Sequence, residues 1–274
     1  MRNIYFYILN LLFLSLQISN CKGYNTDRPN VILIMTDDQG YGDLACLGNP
    51  IIKTPNLDKL HGESIRFTDF HVNPFSAPTR AALMTGRMSD RTHVWTTVYL
   101  RNHLSIKETT MAEFFEASGY RTGHFGKWHL GENYPYRPVD RGFHQWVGHG
   151  DGGTSTTSDY WSNDRMNDTY YRKKKKKKFN GFGNDVFFSE AMKFISESQC
   201  RKKPFFVYLA TNIPHGPMSV PEEWREPYVD QEIPGSSPWG DTKDLYATLS
   251  HFDENLGKLR KFLKDIVYIN HKNH

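Results

Sequence analysis

An unbroken apolar run, Val31-Ile32-Leu33-Ile34-Met35, leads straight into Thr36-Asp37-Asp38-Gln39-Gly40. A run with no polar alternation reads as a strand covered on both faces, as in a parallel sheet. The rest of the chain alternates helix and strand signals around it. Thr54-Pro55 opens a short helix to about residue 64, with Thr54 as N-cap, Pro55 at the first position and Leu57 and Leu60 on one face. Residues 65–72 alternate enough to be a strand. Thr110-Met111-Ala112-Glu113 is a capping box, and Gly119 ends that helix. Residues 120–125 and 205–209 read as further strands. Residues 185–198 and 241–263 read as amphipathic helices, the second striped by Leu245, Leu249, Phe252, Leu256, Leu259 and Leu263. Residues 266–269 could start one more strand. This order predicts an α/β fold, a mostly parallel sheet with helices on both faces.

In open α/β sheets ligands collect at the carboxyl ends of the strands. Asp37 and Asp38 stand at such an end, and two adjacent carboxylates repel unless a cation lies between them. Oxygen-only ligands suit Ca²⁺ or Mg²⁺; a polar turn with a helix cap is the plainer alternative. A second cluster lies in Phe75-Ser76-Ala77-Pro78-Thr79-Arg80-Ala81-Ala82-Leu83-Met84-Thr85-Gly86-Arg87. Pro78 suits a first helical turn and Gly86 a helix end, so Ser76 sits at or just ahead of a helix N-terminus, where donors favour an anion. Arg80, a turn further on, could reach the same anion with a planar fork of donors. The alternative is a Ser-Pro cap with two solvated arginines. At the end of the 120–125 strand, Lys127 and His129 are two residues apart, so an extended backbone would point both to one side. His215, between Pro214 and Pro217, is held on a stiff loop after the 205–209 strand.

These stretches together resemble the sulfatase family. Ser76-Ala77-Pro78-Thr79-Arg80 followed by Leu83-Met84-Thr85-Gly86-Arg87 is similar to the family signature, and Gly126-Lys127-Trp128-His129-Leu130-Gly131 to its second one. Asp37-Asp38 matches its first metal-binding element in place and order. The resemblance spans about residues 29–263 and implies an arylsulfatase-like catalytic domain of the alkaline phosphatase superfamily. In that family the first signature residue, Cys or less often Ser, is oxidised to formylglycine. The Ser form is matured by an anaerobic radical enzyme found in bacteria, and the hydrated aldehyde is the nucleophile. By this resemblance Asp37, Asp38 and the modified Ser76 hold Ca²⁺. Arg80 and Lys127 steady the sulfate group, His129 orients or deprotonates the nucleophile, and His215 contacts the sulfate or assists the leaving oxygen. Asp140-Arg141-Gly142-Phe143 and His149-Gly150 have counterparts that look like a turn and pocket wall.

The implied activity is cleavage of an aryl or carbohydrate sulfate ester. Two other readings stand beside it: a phosphate-ester hydrolase using Ser76 directly, and a catalytically dead protein that binds sulfated glycans. The family completes its metal shell with an Asp-Asn pair after a strand that follows the long helix, and places a later Lys against sulfate. Here Asn270-His271-Lys272-Asn273-His274 follows instead. The expectation is therefore a C-terminally truncated sulfatase, lacking the smaller domain, with weak metal affinity, little hydrolysis and an exposed sheet edge.

Residues 1–20 read as an export signal: Arg2 gives a positive start and 4–16 form an apolar core too short to span a bilayer comfortably. Ile18-Ser19-Asn20-Cys21 could be a lipoprotein cleavage site with Cys21 lipidated, so the membrane would be met only through a lipid anchor. The expected organisation is a 1–20 leader, a 29–269 catalytic domain and a 270–274 tail, in a periplasmic or envelope-anchored protein. Three cysteines make no disulfide framework or zinc pattern, and Cys46 and Cys200 are expected as free or lightly buried thiols. Formal net charge is +4, yet Lys173–Lys178 alone supply more positive charge than that. The remainder is slightly acidic, so nothing argues for nucleic acid. Residues 172–178 are expected as a solvated loop.

Overall fold

The computed structural model describes residues 28–237 and 240–272. Its main elements are β1 (Val31–Asp37), α1 (Pro55–Gly62), α2 (Ser76–Thr85), α3 (Met111–Ala117), β2 (Arg121–Gly126), β3 (Gln145–Gly148), β4 (Thr169–Arg172), β5 (Lys175–Lys178), α4 (Gly183–Cys200), β6 (Phe205–Pro214) and α5 (Thr242–Lys272). The sheet runs β1-β6-β2-β3-β4-β5. β1, β6, β2 and β3 are mutually parallel, and β4 and β5 add an antiparallel hairpin.

Every residue of β6 is buried, and its side chains alternate between two cores. Phe205, Val207, Leu209 and Ile213 enter one core with Phe188, Phe194 and Ile195 of α4 and Phe252 and Leu259 of α5. Phe206, Tyr208 and Ala210 enter the other with Ala77 and Ala81 of α2, Ala112 of α3 and Trp128. The helices thus cover both faces, as the alternation of signals implies. β1 also serves both cores, Ile32 and Ile34 facing one and Val31, Leu33 and Met35 the other. It pairs only with β6 among the described residues and stays half-buried along its edge.

Local signals explain most helix ends. Thr110 accepts from the Glu113 N–H at 3.1 Å while the Glu113 carboxylate accepts from the Thr110 N–H at 2.7 Å. Gly119 follows in a left-handed conformation, φ 82°. Thr54 precedes α1, but its hydroxyl accepts from Ala45 N–H and donates to Asp58, so it ties two segments together instead of capping. Arg141 is buried and donates to the Leu104 carbonyl and the Glu113 carboxylate, making the 140–143 turn structural.

Four expectations fail. Residues 65–72 are not a strand: Ile65 and Phe67 are 87% and 77% exposed, and the alternation has no neighbouring strand to pair with. Residues 266–269 are not a strand either. α5 continues to Lys272, because Phe262, Leu263 and Ile266 prolong the helical stripe against the first core. The lysine run is not a loop. It forms β5, paired with β4 from Arg172↔Lys175 to Thr169↔Lys178, after a turn at Lys173 with φ 57°. It remains exposed, with the Lys176 ammonium over the rings of Tyr160 and Tyr171. Cys200 is disulfide-bonded, not a free thiol, whereas Cys46 is free. The expected leader and Cys21 lie outside the described residues. Among the described residues no helix is long and apolar enough to cross a membrane.

Candidate active site

The strands β1, β6 and β2 lie side by side and end at the same edge of the sheet. The chain is stitched together there by its backbone. Lys127 N–H donates to Ala210 O at 2.7 Å, and His215 N–H donates to Asp37 O at 2.9 Å. Gly126 makes the close approach possible. Its φ is 109°, and a Cβ would lie 2.0 Å from Ala210 O, so no other residue fits without moving β6. α2 begins at the same edge with Ser76 as its first residue, Phe75 as N-cap and Gly86 as a left-handed C-cap.

Arg80 is fully buried and links two parts of this edge. Its Nε donates to Ser76 Oγ at 2.9 Å, and its Nη2 donates to Asp37 Oδ1 at 3.0 Å. Nη1 donates to the Lys127 carbonyl at 2.9 Å. Lys127 Nζ donates to the other Asp37 oxygen at 2.8 Å. Burial alone would raise the Asp37 carboxyl, but Lys127 and Arg80 outweigh it and hold the group well below the usual carboxylate range. Burial pulls Lys127 below its ordinary value, with Arg80 adding to the shift and Asp37 opposing it.

His129 reaches the other side of Ser76, its Nδ1 3.1 Å from Ser76 Oγ and its Nε2 3.1 Å from the Thr97 carbonyl. Burial, with Lys127 and Arg80 nearby, lowers its pKa to about 3. The ring is therefore neutral at ordinary pH. A carbonyl can only accept, so Nε2 carries the proton and Nδ1 offers its lone pair to Ser76. Ser76 O–H then donates to His129 while its oxygen accepts from Arg80. Lys127 and His129 do converge, but not along a pleat. β2 stops at Gly126 and His129 is left-handed, φ 61°, so a turn sends one side chain beneath the pocket and the other to its wall.

The two aspartates part company. Asp37 is sealed, whereas the Asp38 side chain is 65% exposed, its Oδ2 3.7 Å from His215 Nε2. His215 Nδ1 donates to the Gly216 carbonyl at 2.7 Å. The Ca²⁺ expected from Asp37, Asp38 and Ser76 is poorly served by this arrangement. Both Asp37 oxygens are taken by cations, and among the described residues no group of three or more His, Cys, Asp or Glu is placed to hold a metal. These residues alone do not fit a calcium site.

Ser76, Lys127, His129, Asp38 and His215 line a 660 Å³ cavity. Asn102, His103, Glu132 and Asp151 line it too, as do the apolar Val98, Tyr99 and Leu100. Nothing in the sequence reading singles out this second group or the Thr97 carbonyl, because they carry no motif spacing. His149, expected as pocket wall, is buried behind it on Asp159 and Asn212.

The sequence profile of the family described as Sulfatase matches residues 29–267. The human N-acetylgalactosamine-6-sulfatase is 30% identical over 258 residues, covering 87% of this chain and 47% of that protein. The arylsulfatase of Klebsiella aerogenes is 33% identical over 220 residues, covering 75% of this chain and 47% of the other. The crystal structure of Ps i-CgsB in complex with k-i-k-neocarrahexaose superposes with a TM-score of 0.75 at 28% identity, over 88% of this chain and 56% of that one. The chain spans about half the length of the curated relatives it matches. On the profile match across most of its length, the chain belongs to the sulfatase family.

Proposed function

We propose that the protein is a sulfuric-ester hydrolase acting on an aryl or carbohydrate sulfate. The observation that carries this reading is the placing of Ser76 Oγ between the Arg80 Nε donor and the neutral His129 Nδ1 acceptor, at a helix start that opens into the cavity. Ser76 is the residue to be converted to formylglycine by the anaerobic radical maturase, and that aldehyde, once it has added a water, would supply a hydroxyl nucleophile toward sulfur. His129 Nδ1 takes a proton from the hydroxyl at position 76 and Arg80 Nε orients its oxygen. Arg80 and Lys127 put positive charge under the transferred group without rearranging, since Asp37 already fixes both. His215 Nε2 faces the cavity and serves the leaving oxygen. Asp37 and Asp38 are the carboxylates Ca²⁺ would use. With the described ligands short of its six to eight oxygens, it is given no step.

The sulfated substrate is drawn from relatives named for N-acetylgalactosamine-6-sulfate and aryl sulfates and from a neighbour bound to a neocarrahexaose. Export belongs to the same proposal, as does a catalytic domain over 29–269. A direct Ser76 nucleophile on a phosphate ester is the second reading, favoured by the encoded hydroxyl already lying 3.1 Å from its base. A dead glycan-binding protein is the third.

Mass spectrometry of the Ser76 peptide from the native host, with assays on an aryl sulfate and an aryl phosphate, separates them. Loss of two hydrogens at Ser76 together with sulfate release is the expected result. Unmodified Ser76 with phosphate release would replace the first reading by the second, and sugar binding without turnover would leave the third.

A further inference from the structure

A second group of the cavity's lining residues has a chemistry of its own. Asp151 is tied to the candidate base through the backbone: His129 N–H donates to Asp151 O at 3.2 Å. Gly152 lies against the His129 ring, where a Cβ would come within 3.2 Å of Nε2. Asp151 lines the same cavity as Ser76. Its oxygens accept from Asn102 Nδ2, at 3.1 and 3.0 Å, and from the Gly131 backbone N–H. Glu132 takes His103 Nε2 at 3.2 Å on one oxygen. The other Glu132 oxygen accepts from Asn133 Nδ2 at 3.4 Å. Two carboxylates offer about four acceptor directions each, so part of this capacity is left for a ligand. Burial and the nearby Glu132 raise Asp151 to about 6, so it is largely ionised at neutral pH.

No cation within the cavity offsets these two carboxylates except His103 when protonated, and Lys127 is committed to Asp37. Such a wall accepts hydroxyl or amine protons and repels a second anion. Other residues of the lining are apolar and open. Tyr99 and Leu100 are 88% and 70% exposed, and both are left-handed, φ 58° and 62°. Apolar and acceptor-rich lining residues are what a sugar ring meets when one face packs and its hydroxyl edge is read.

We propose that Asp151 and Glu132 select the leaving group, favouring a neutral, hydroxyl-rich sugar bearing a single sulfate over one with a second anionic group beside it. The sulfate end of this assignment rests on the hydrolase reading above; the carboxylate end does not.

The test is binding, measured by calorimetry in a Ser76→Ala background so that turnover plays no part. The probes are a monosulfated methyl galactoside, its disulfated counterpart and an aryl sulfate. The monosulfated sugar should bind about tenfold or more tighter than the disulfated one, since unlike-to-like charge placement is worth at least that. Asp151→Asn, and separately Glu132→Gln, should shrink that ratio several-fold while changing aryl sulfate binding less than about twofold. Should Asp151→Asn fail to fold by circular dichroism, Glu132→Gln carries the same reading. Equal or tighter binding of the disulfated sugar, a ratio unmoved by either substitution, or no binding of any probe would overturn the proposal. Hydrolysis of the aryl sulfate by the parent protein is scored separately. Its absence would count against the hydrolase while the binding ratios still decide this inference.

Discussion

Two groups of residues lining the cavity handle charge in opposite ways. Around Ser76 the cations are sealed in, Arg80 and Lys127 with side chains 1% exposed, both locked to Asp37. In the other group Glu132 and Asp151 keep some acceptor capacity open beside their contacts with Asn102, His103, Asn133 and the Gly131 backbone. The first group is finished before a ligand arrives, so its geometry costs nothing to organise during reaction. The second group is left unfinished, so the ligand itself must supply the missing donors. On the proposals above, positioning and selection fall to different groups of residues lining one space.

The comparison breaks first at His129. His129→Ala should lower kcat/KM by about 100- to 10,000-fold with little change in KM, because a base acts on the proton in flight and not on the bound ester. A loss confined to KM would place His129 in binding. Next comes the sealed group itself. Asp37→Asn leaves two buried cations without their shared carboxylate and should cost about 3–5 kcal/mol in urea denaturation. A loss under about 1 kcal/mol would show that this floor is not held by its ion pairs.

The open group should respond to pH in the other direction from a paired carboxylate. Asp151 is raised to about 6 by burial and Glu132, above its unfolded value. The folded state therefore binds the extra proton, and the stability this gives is full below about pH 4 and lost as pH rises through about 6. Asp151→Asn should then gain on the parent by about 1–3 kcal/mol at neutral pH and converge with it in acid, read from melting temperature against pH. A difference independent of pH would mean the carboxylate is not strained by its surroundings. The smallest effect is expected from Tyr208→Phe. Its hydroxyl is 3.5 Å from Arg80 Nη1, which keeps its bond to the Lys127 carbonyl, so the loss should be about 0.5 kcal/mol. A loss several times larger would show Arg80 to be more dependent on the second core than its other contacts suggest.

Much of the sealed group was legible because its residues stand where strand runs stop. Asp37 follows an apolar run, Lys127 follows β2, and Ser76 opens a helix marked by Pro78 and Gly86. What could not be read was who binds whom. Arg80 chooses Asp37 across 43 positions, and only the sheet order brings β1 beside that helix. The Asn102–Asp151 contact spans 49 positions with no motif at either end. The mistaken strands have a shared cause. Residues 65–72 have the alternation but no partner, and residues 266–269 have strand-forming types but continue a helix already docked on α4 and β6. Local preference yields to whichever neighbour is present.

The sheet also has a direction across its width. One border, β5, is a row of exposed lysines, and the other, β1, is apolar and half-covered. Like charge turns away a second copy of the lysine border. Two copies of this chain could therefore pair edge to edge more readily alongside β1. If a second copy were to use that border, the two would meet about a two-fold axis and present lysines on both outer sides. Among the described residues, the borders left on that pair would both be lysine rows, which repel one another and disfavour further stacking.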